Sequence, residues 1–175
     1  MVFLFLCNCV LLRLMQKQNI SFELSVYDSP DELPENFRGL LQTASKSREN
    51  AYAPYSNFQV GAAVLLENGE VIIGNNQENA SYPSGLCAER VAIFQAGARF
   101  PKVPVRAVAI SASSRNLKVD RPAAPCGNCR QAIAEYEQKQ DTPITVIMRG
   151  ESGSVFVSDS ITDLLPLAFG NSYLK

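Results

Sequence analysis

The chain has 175 residues, which suits one domain with a real core. Apolar residues make up 46% and charged residues 19%, a balance ordinary for a soluble globular chain. The net charge is −1, and no basic run or aromatic–basic interleaving occurs, so a nucleic acid polymer is excluded as the expected partner and a small neutral ligand is not.

Residues 1–14 read unlike the rest. Their apolar run is too short to span a bilayer. They lack a basic leading region, and no small-x-small cleavage site follows. Met15 before Gln16-Lys17-Gln18 reads as a natural start. Residues 1–14 are therefore expected to be upstream sequence from an over-long reading frame. A surface-packed apolar helix and a weak signal segment are the alternatives.

From Ile20 to Val26 apolar and polar residues alternate, which predicts a strand at a sheet edge or outside the main core. Ser29-Pro30-Asp31 breaks it. Phe37, Leu40, Leu41 and Ala44 then recur at helical steps, predicting a helix from about Pro34 to Asn50. Phe58–Leu66 and Glu70–Ile73 flank Asn68-Gly69, which predicts a hairpin on a type I′ turn. A helix over Cys87–Ala98, ended by Gly97 and Pro101, leads to a strand over Val105–Ala112. A second helix covers Cys126–Lys139. Short strands are expected at Ile144–Met148 and Ser154–Val157. Ser160 is placed to cap a last helix over Leu164–Ala168. Hairpin, helix, strand, helix, strand implies an α/β sheet covered by helices. Residues 1–14 and 15–33 form N-terminal extensions, the second with one strand, and 34–175 the main domain.

Histidine is absent, which removes Ser–His and Cys–His nucleophile pairs. Acid–base work must then fall to a carboxylate, lysine, tyrosine or metal-bound water. Of the five cysteines, Cys7 and Cys9 lie near the N-terminus and Cys87, Cys126 and Cys129 in the body. Three thiols do not make a disulfide framework, and metal-bound thiolates fit better. Cys126 and Cys129 are three apart at a helix start, so both sulfurs share one face of its first turn. Cys87 also opens a helix, where backbone N–H groups stabilise a thiolate. Three ligands on zinc leave the fourth position open for water, and no fourth Cys or His is present in the body. Glu89, two residues after Cys87, is placed to take and return the water's proton. Arg90 and Arg130 are expected to offset the excess charge of three thiolates.

At these residues the chain resembles the cytidine deaminases, in the small homotetrameric class with a three-cysteine zinc site. The pattern stands here as Cys87-Ala88-Glu89 and Pro125-Cys126-Gly127-Asn128-Cys129. The segments 52–63, 74–83 and 164–170 resemble further blocks of that family, in its order. The resemblance implies a three-layer α/β/α fold, with a mixed central sheet of about five strands and helices on both faces. It implies one Zn²⁺ per subunit on Cys87, Cys126 and Cys129, with Glu89 as the catalytic proton carrier. Asn76 and Glu78 would bind the ribose hydroxyls, Phe58 would pack on the pyrimidine, and the Ala88 N–H would bind the base carbonyl. Tyr82 would lie near the site and a subunit interface, and Phe169 would reach a neighbouring subunit's site. The implied reaction is hydrolysis of cytidine and deoxycytidine to uridine and deoxyuridine with loss of ammonia, in cytoplasmic pyrimidine salvage. The implied partners are a pyrimidine nucleoside, water and further copies of the chain, with no membrane. The rival readings are a deaminase of another aminopyrimidine nucleoside and a zinc-stabilised binding module without catalysis.

Overall fold

The structure is a computed structural model and describes residues 15–174. The expectations for residues 1–14 lie outside the described residues. The elements in order are strand β1 (Ser25–Tyr27), helix α1 (Glu35–Ser47), strands β2 (Phe58–Leu66) and β3 (Val71–Asn75), helix α2 (Ala88–Arg99), strand β4 (Val105–Ser114), helix α3 (Gly127–Gln140), and strands β5 (Thr145–Arg149) and β6 (Val155–Ser158). They form one sheet in the order β1-β6-β5-β4-β2-β3. Only β4 and β5 run parallel, joined by the α3 crossover, and every other pair is antiparallel.

β4 shows why the sheet is covered on both faces. Val108 and Ile110 point to one side, where they pack with Ala88, Ala92 and Ile93 of α2 and Ile133 of α3. Ala107 and Ala109 point to the other, under Leu40, Leu41 and Ala44 of α1. A strand buried on both faces reads as a continuous apolar run. The small side chains on the α1 side let that helix lie close to the sheet. The result is the three-layer α/β/α arrangement with a mixed sheet.

The sheet has six strands rather than about five. β1 joins it through β6, but only over Ser25–Tyr27, shorter than the alternation at 20–26 suggests. Ile20 and Phe22 are about half exposed, at 49% and 48%. Alternation becomes a ladder only where a neighbouring strand supplies partners. The hairpin forms, but its turn is not type I′. Asn68 keeps a negative φ, and only Gly69, at φ 87°, is left-handed. The Leu66 N–H bonds the Glu70 carbonyl, and the Gly69 N–H bonds the Leu66 carbonyl. This is a three-residue loop with a glycine bulge.

The helix α2 runs through Gly97 to Arg99. Gly97 does not end it; a Cβ there would strike the Tyr136 ring of α3. The last predicted helix, Leu164–Ala168, does not form; the residues leading up to it, Ile161–Leu164, make a single 3-10 turn instead. Ser160 caps it by accepting from the Thr162 N–H at 3.1 Å. Pro166 and the left-handed Leu167, at φ 60°, stop it from continuing. No helix of the described residues is long and apolar enough to cross a membrane.

Candidate active site and metal centre

Two helix starts build the site. Cys87 and Cys126 each stand at an N-cap in extended backbone, just before α2 and α3. Cys129 follows in the first turn of α3 and is fully buried. Cys87 Sγ lies 3.8 Å from Cys126 Sγ, which lies 3.5 Å from Cys129 Sγ. All three sulfurs lie within 4.8 Å of one another. Sulfurs held about 2.3 Å from one ion in tetrahedral directions sit roughly 3.8 Å apart. The donor set and its spacing therefore fit zinc, with three protein ligands and room for a fourth.

With only their own charges, the three sulfurs compete for protons. Hydrogen bonding from Cys129 is the main cause that brings the Cys87 thiol down to about 5, with Cys126 and Arg90 helping and burial opposing. The Cys129 thiol is pushed up, first by its bond to Cys87, then by burial and by the charge of Glu89. One thiolate forms readily and raises the cost of the next. A divalent cation inverts that order and lets all three ionise.

Gly74 of β3 fixes where α2 begins. A Cβ at Gly74 would run into the main chain of Ala88 and Ala92, so only glycine lets the first turns of α2 lie on the sheet. That contact buries Ala88 completely and leaves Glu89 5% exposed. Burial pushes the Glu89 carboxyl up to about 7, against the pull of its own backbone N–H. A carboxyl poised there can hold a proton or release it near neutral pH.

The two arginines separate. Arg90 lies by the sulfurs. Burial alone would lower its pKa, but hydrogen bonding and attraction from Cys87 outweigh it. Its Nη2 also donates to the Gly85 carbonyl at 3.3 Å. Arg130 is committed to main-chain carbonyls instead, with Nε 2.8 Å from Pro125 O and Nη1 2.7 Å from Leu164 O. It ties the metal loop to the C-terminal segment.

A cavity of 450 Å³ opens beside Cys87, lined by Tyr55, Asn76, Glu78, Tyr82 and Leu86 among others. It brings the predicted sugar residues Asn76 and Glu78 to the metal cluster. Tyr82 is 75% exposed and meets Tyr55 edge-on, with ring centroids 5.9 Å apart. Phe58 does not line this cavity. It borders another, of 530 Å³, with Leu117, Lys118, Pro122 and Phe156. Phe169 is 57% exposed and stacks on Tyr173 at 5.4 Å, away from the cavity of its own chain. Sequence reasoning passed over Tyr55 and Ser56, whose N–H groups both donate to Glu78 Oε2. Their signal was a hydroxyl next to the left-handed Asn57, a turn that can aim N–H groups at an anion.

Residues 34–142 match the family described as "Cytidine and deoxycytidylate deaminase zinc-binding region". A protein of Halalkalibacterium halodurans named cytidine deaminase is 42% identical over 130 residues, covering 74% of this chain and 91% of its own length. A cytidine deaminase of Sporosarcina psychrophila is 37% identical over 139 residues, covering 78% of this chain and 93% of its own. The crystal structure of a cytidine deaminase from Burkholderia pseudomallei superposes with a TM-score of 0.66 at 42% identity, over 75% of this chain and 97% of that one. The three sulfurs at two helix starts, the buried Glu89 between them and the sheet, and the family match over more than half the chain agree: this protein belongs to the zinc-binding cytidine and deoxycytidylate deaminase family.

Proposed function

We propose that the chain is a zinc-dependent hydrolase that converts cytidine and deoxycytidine to uridine and deoxyuridine with release of ammonia. The observation that carries this reading is Glu89. It is a carboxyl only 5% exposed, two residues from Cys87 and in the same helical turn. The relatives that bear the name cytidine deaminase support the choice of substrate.

Zinc bound by Cys87, Cys126 and Cys129 supplies the chemistry of a coordinated water whose pKa falls to about 7. Glu89 takes a proton from water and passes it to N3 of the base while the water oxygen bonds C4. Glu89 then carries the second proton to the exocyclic amino group. The C4–N bond breaks, ammonia leaves, and C4 keeps the oxygen as a carbonyl. Water and cytidine thus balance against uridine and ammonia. The Ala88 N–H, which as the first residue of α2 has no partner within the helix, is assigned to the base carbonyl. Tyr82 lines the way in, and Phe58 is assigned to the ring from the neighbouring cavity that it borders, with its carbonyl bonded to Asn76. Asn76 and Glu78 receive the ribose hydroxyls. Asn76 spends one N–H on the Phe58 carbonyl and accepts one bond from the Val60 N–H. One donor and one acceptor remain for a sugar.

The working form in this proposal is a homotetramer in the cytoplasm, serving pyrimidine salvage. The exposed Phe169 reaches the cavity of a neighbouring copy. Loss of the cytidine ultraviolet band on adding zinc-loaded protein, with stoichiometric ammonia, is the expected result. Folded, zinc-loaded protein that leaves both nucleosides unchanged would refute the reading.

A further inference from the structure

Phe58 opens β2 beyond the last β3 rung, where Gly61 pairs with Asn75. On that side the Val60 carbonyl still takes the Asn76 main-chain N–H at 3.1 Å, but the Val60 N–H and both main-chain groups of Phe58 have no strand to bond. Side chains take the strand's place. Asn76 Nδ2 donates to the Phe58 carbonyl at 2.9 Å, and Asn76 Oδ1 accepts from the Val60 N–H at 2.8 Å. Ser56 Oγ accepts from the Phe58 N–H at 3.0 Å.

The same Ser56 hydroxyl donates to Glu78 Oε1. The other carboxylate oxygen, Oε2, takes the N–H groups of Tyr55 at 2.9 Å and Ser56 at 3.3 Å. A serine hydroxyl has one proton, and here it is committed to Glu78. Both carboxylate oxygens are therefore held, and by a turn that is itself anchored. The Asn57 N–H bonds the Ala53 carbonyl, and the Arg115 N–H bonds the Asn57 carbonyl. Slight burial pushes the Glu78 carboxyl up, but the bonds from the Ser56 hydroxyl and from the Tyr55 and Ser56 N–H groups outweigh it and hold it below its usual value. The carboxylate stays charged and acceptor-only, which suits it to sugar hydroxyls.

We propose that Ser56 is a positioning residue that sets selectivity for a hydroxylated sugar. Its one hydroxyl fixes the Glu78 carboxylate to the Phe58 main chain and so sets the sugar contact relative to the base contact. This rests on the reading of Glu78 as a ribose ligand. Without the hydroxyl, Glu78 is held through Oε2 alone, Oε1 loses its tie to the Phe58 main chain, and hydroxylated sugars lose a preformed acceptor. Phe58 is still held by Asn76 and by its β4 partner Ser114, so the base contact survives. Ser56 is exposed, so truncation leaves no buried gap.

The test compares zinc-loaded wild type with Ser56→Ala, Ser56→Thr and Glu78→Gln on cytidine and on 2′,3′-dideoxycytidine, which lacks both ribose ring hydroxyls. Ser56→Ala is expected to raise the cytidine KM about tenfold with kcat held within about twofold. Its constants for the dideoxy substrate are expected to stay at wild-type values, and Ser56→Thr to restore the cytidine KM. Two results overturn the proposal on its own: an unchanged cytidine KM in Ser56→Ala while Glu78→Gln raises it, or an equal loss on both substrates in Ser56→Ala. If Glu78→Gln leaves the preference for cytidine over the dideoxy substrate unchanged, the sugar reading of Glu78 fails and takes the Ser56 proposal with it.

Discussion

Cys87, Ala88 and Glu89 do different work although they are neighbours in sequence. The helix start turns the Cys87 sulfur toward Cys126, while the sheet buries Glu89. Glu89→Gln keeps the shape and removes the proton carrier. Turnover is expected to fall by about 10²–10⁴ or more with zinc content unchanged, checked by steady-state rates and elemental analysis on one preparation. Cys129→Ala removes a fully buried sulfur and leaves two ligands. That variant is expected to lose its zinc, and stoichiometric zinc in it would contradict the ligand assignment. The cysteine spacing was legible because a three-residue step in a helix puts two sulfurs on one face. The division between the arginines was not. Arg90 comes three residues after Cys87 and Arg130 directly after Cys129, and the Pro125 carbonyl together with the Leu164 carbonyl, 34 residues away, draws Arg130 to another task.

Among the elements, α2 depends on a residue it does not contain. Gly74 of β3 lies under its first turns, where main-chain atoms of Ala88 and Ala92 leave no room for a Cβ. Backbone cannot swing aside as a side chain can. Gly74→Ala is expected to cost about 1–3 kcal/mol of stability. It should also weaken zinc binding, because displacing α2 moves Cys87 away from the other sulfurs. Denaturant melts and a zinc titration check both; unchanged zinc affinity would mean that α2 tolerates the shift. At its far end α3 is held by Glu137, whose carboxylate takes the Ile144 N–H at 2.6 Å, the Ile161 N–H at 3.2 Å and the Ser160 hydroxyl at 2.6 Å. Glu137→Ala orphans two buried N–H groups at about 1–3 kcal/mol each, so a melting temperature equal to wild type would contradict this role. Helices and long strands were legible from their periodicity. The turn at Asn68-Gly69 and the end of α2 were not, because loop closure and the Tyr136 ring decide them rather than local preference.

Over the whole molecule, α3 carries two of the three candidate metal ligands at one end and straps the C-terminal segment along its length. Arg130 holds Leu164, Gln131 Nε2 holds the Phe169 carbonyl at 3.0 Å, and Gln138 Oε1 accepts from the Asn171 N–H at 3.2 Å. The strap leaves Leu167, Phe169, Tyr173 and Leu174 exposed together near the chain end. A patch of that kind marks a surface for association. Phe169→Ala is expected to leave subunit stability within about 0.5 kcal/mol, since the ring is largely exposed. On the proposed tetramer reading it should raise the KM for cytidine and loosen the assembly. Sedimentation and kinetics on the same sample check this, and unaltered affinity would remove the cross-subunit contact. The cluster of three cysteines and the layered α/β architecture were determined by the sequence alone. They rest on short-range spacing and on period-two and helical patterns, which any window of the chain displays. Tertiary structure alone decided that the N-terminal strand pairs with β6 over Ser25–Tyr27 only, the separate fates of Arg90 and Arg130, and the joining of Glu78, Ser56 and Phe58 through one hydroxyl. Those depend on which distant main-chain groups lack partners, and that is settled only when the sheet has formed and each N–H and carbonyl must find one.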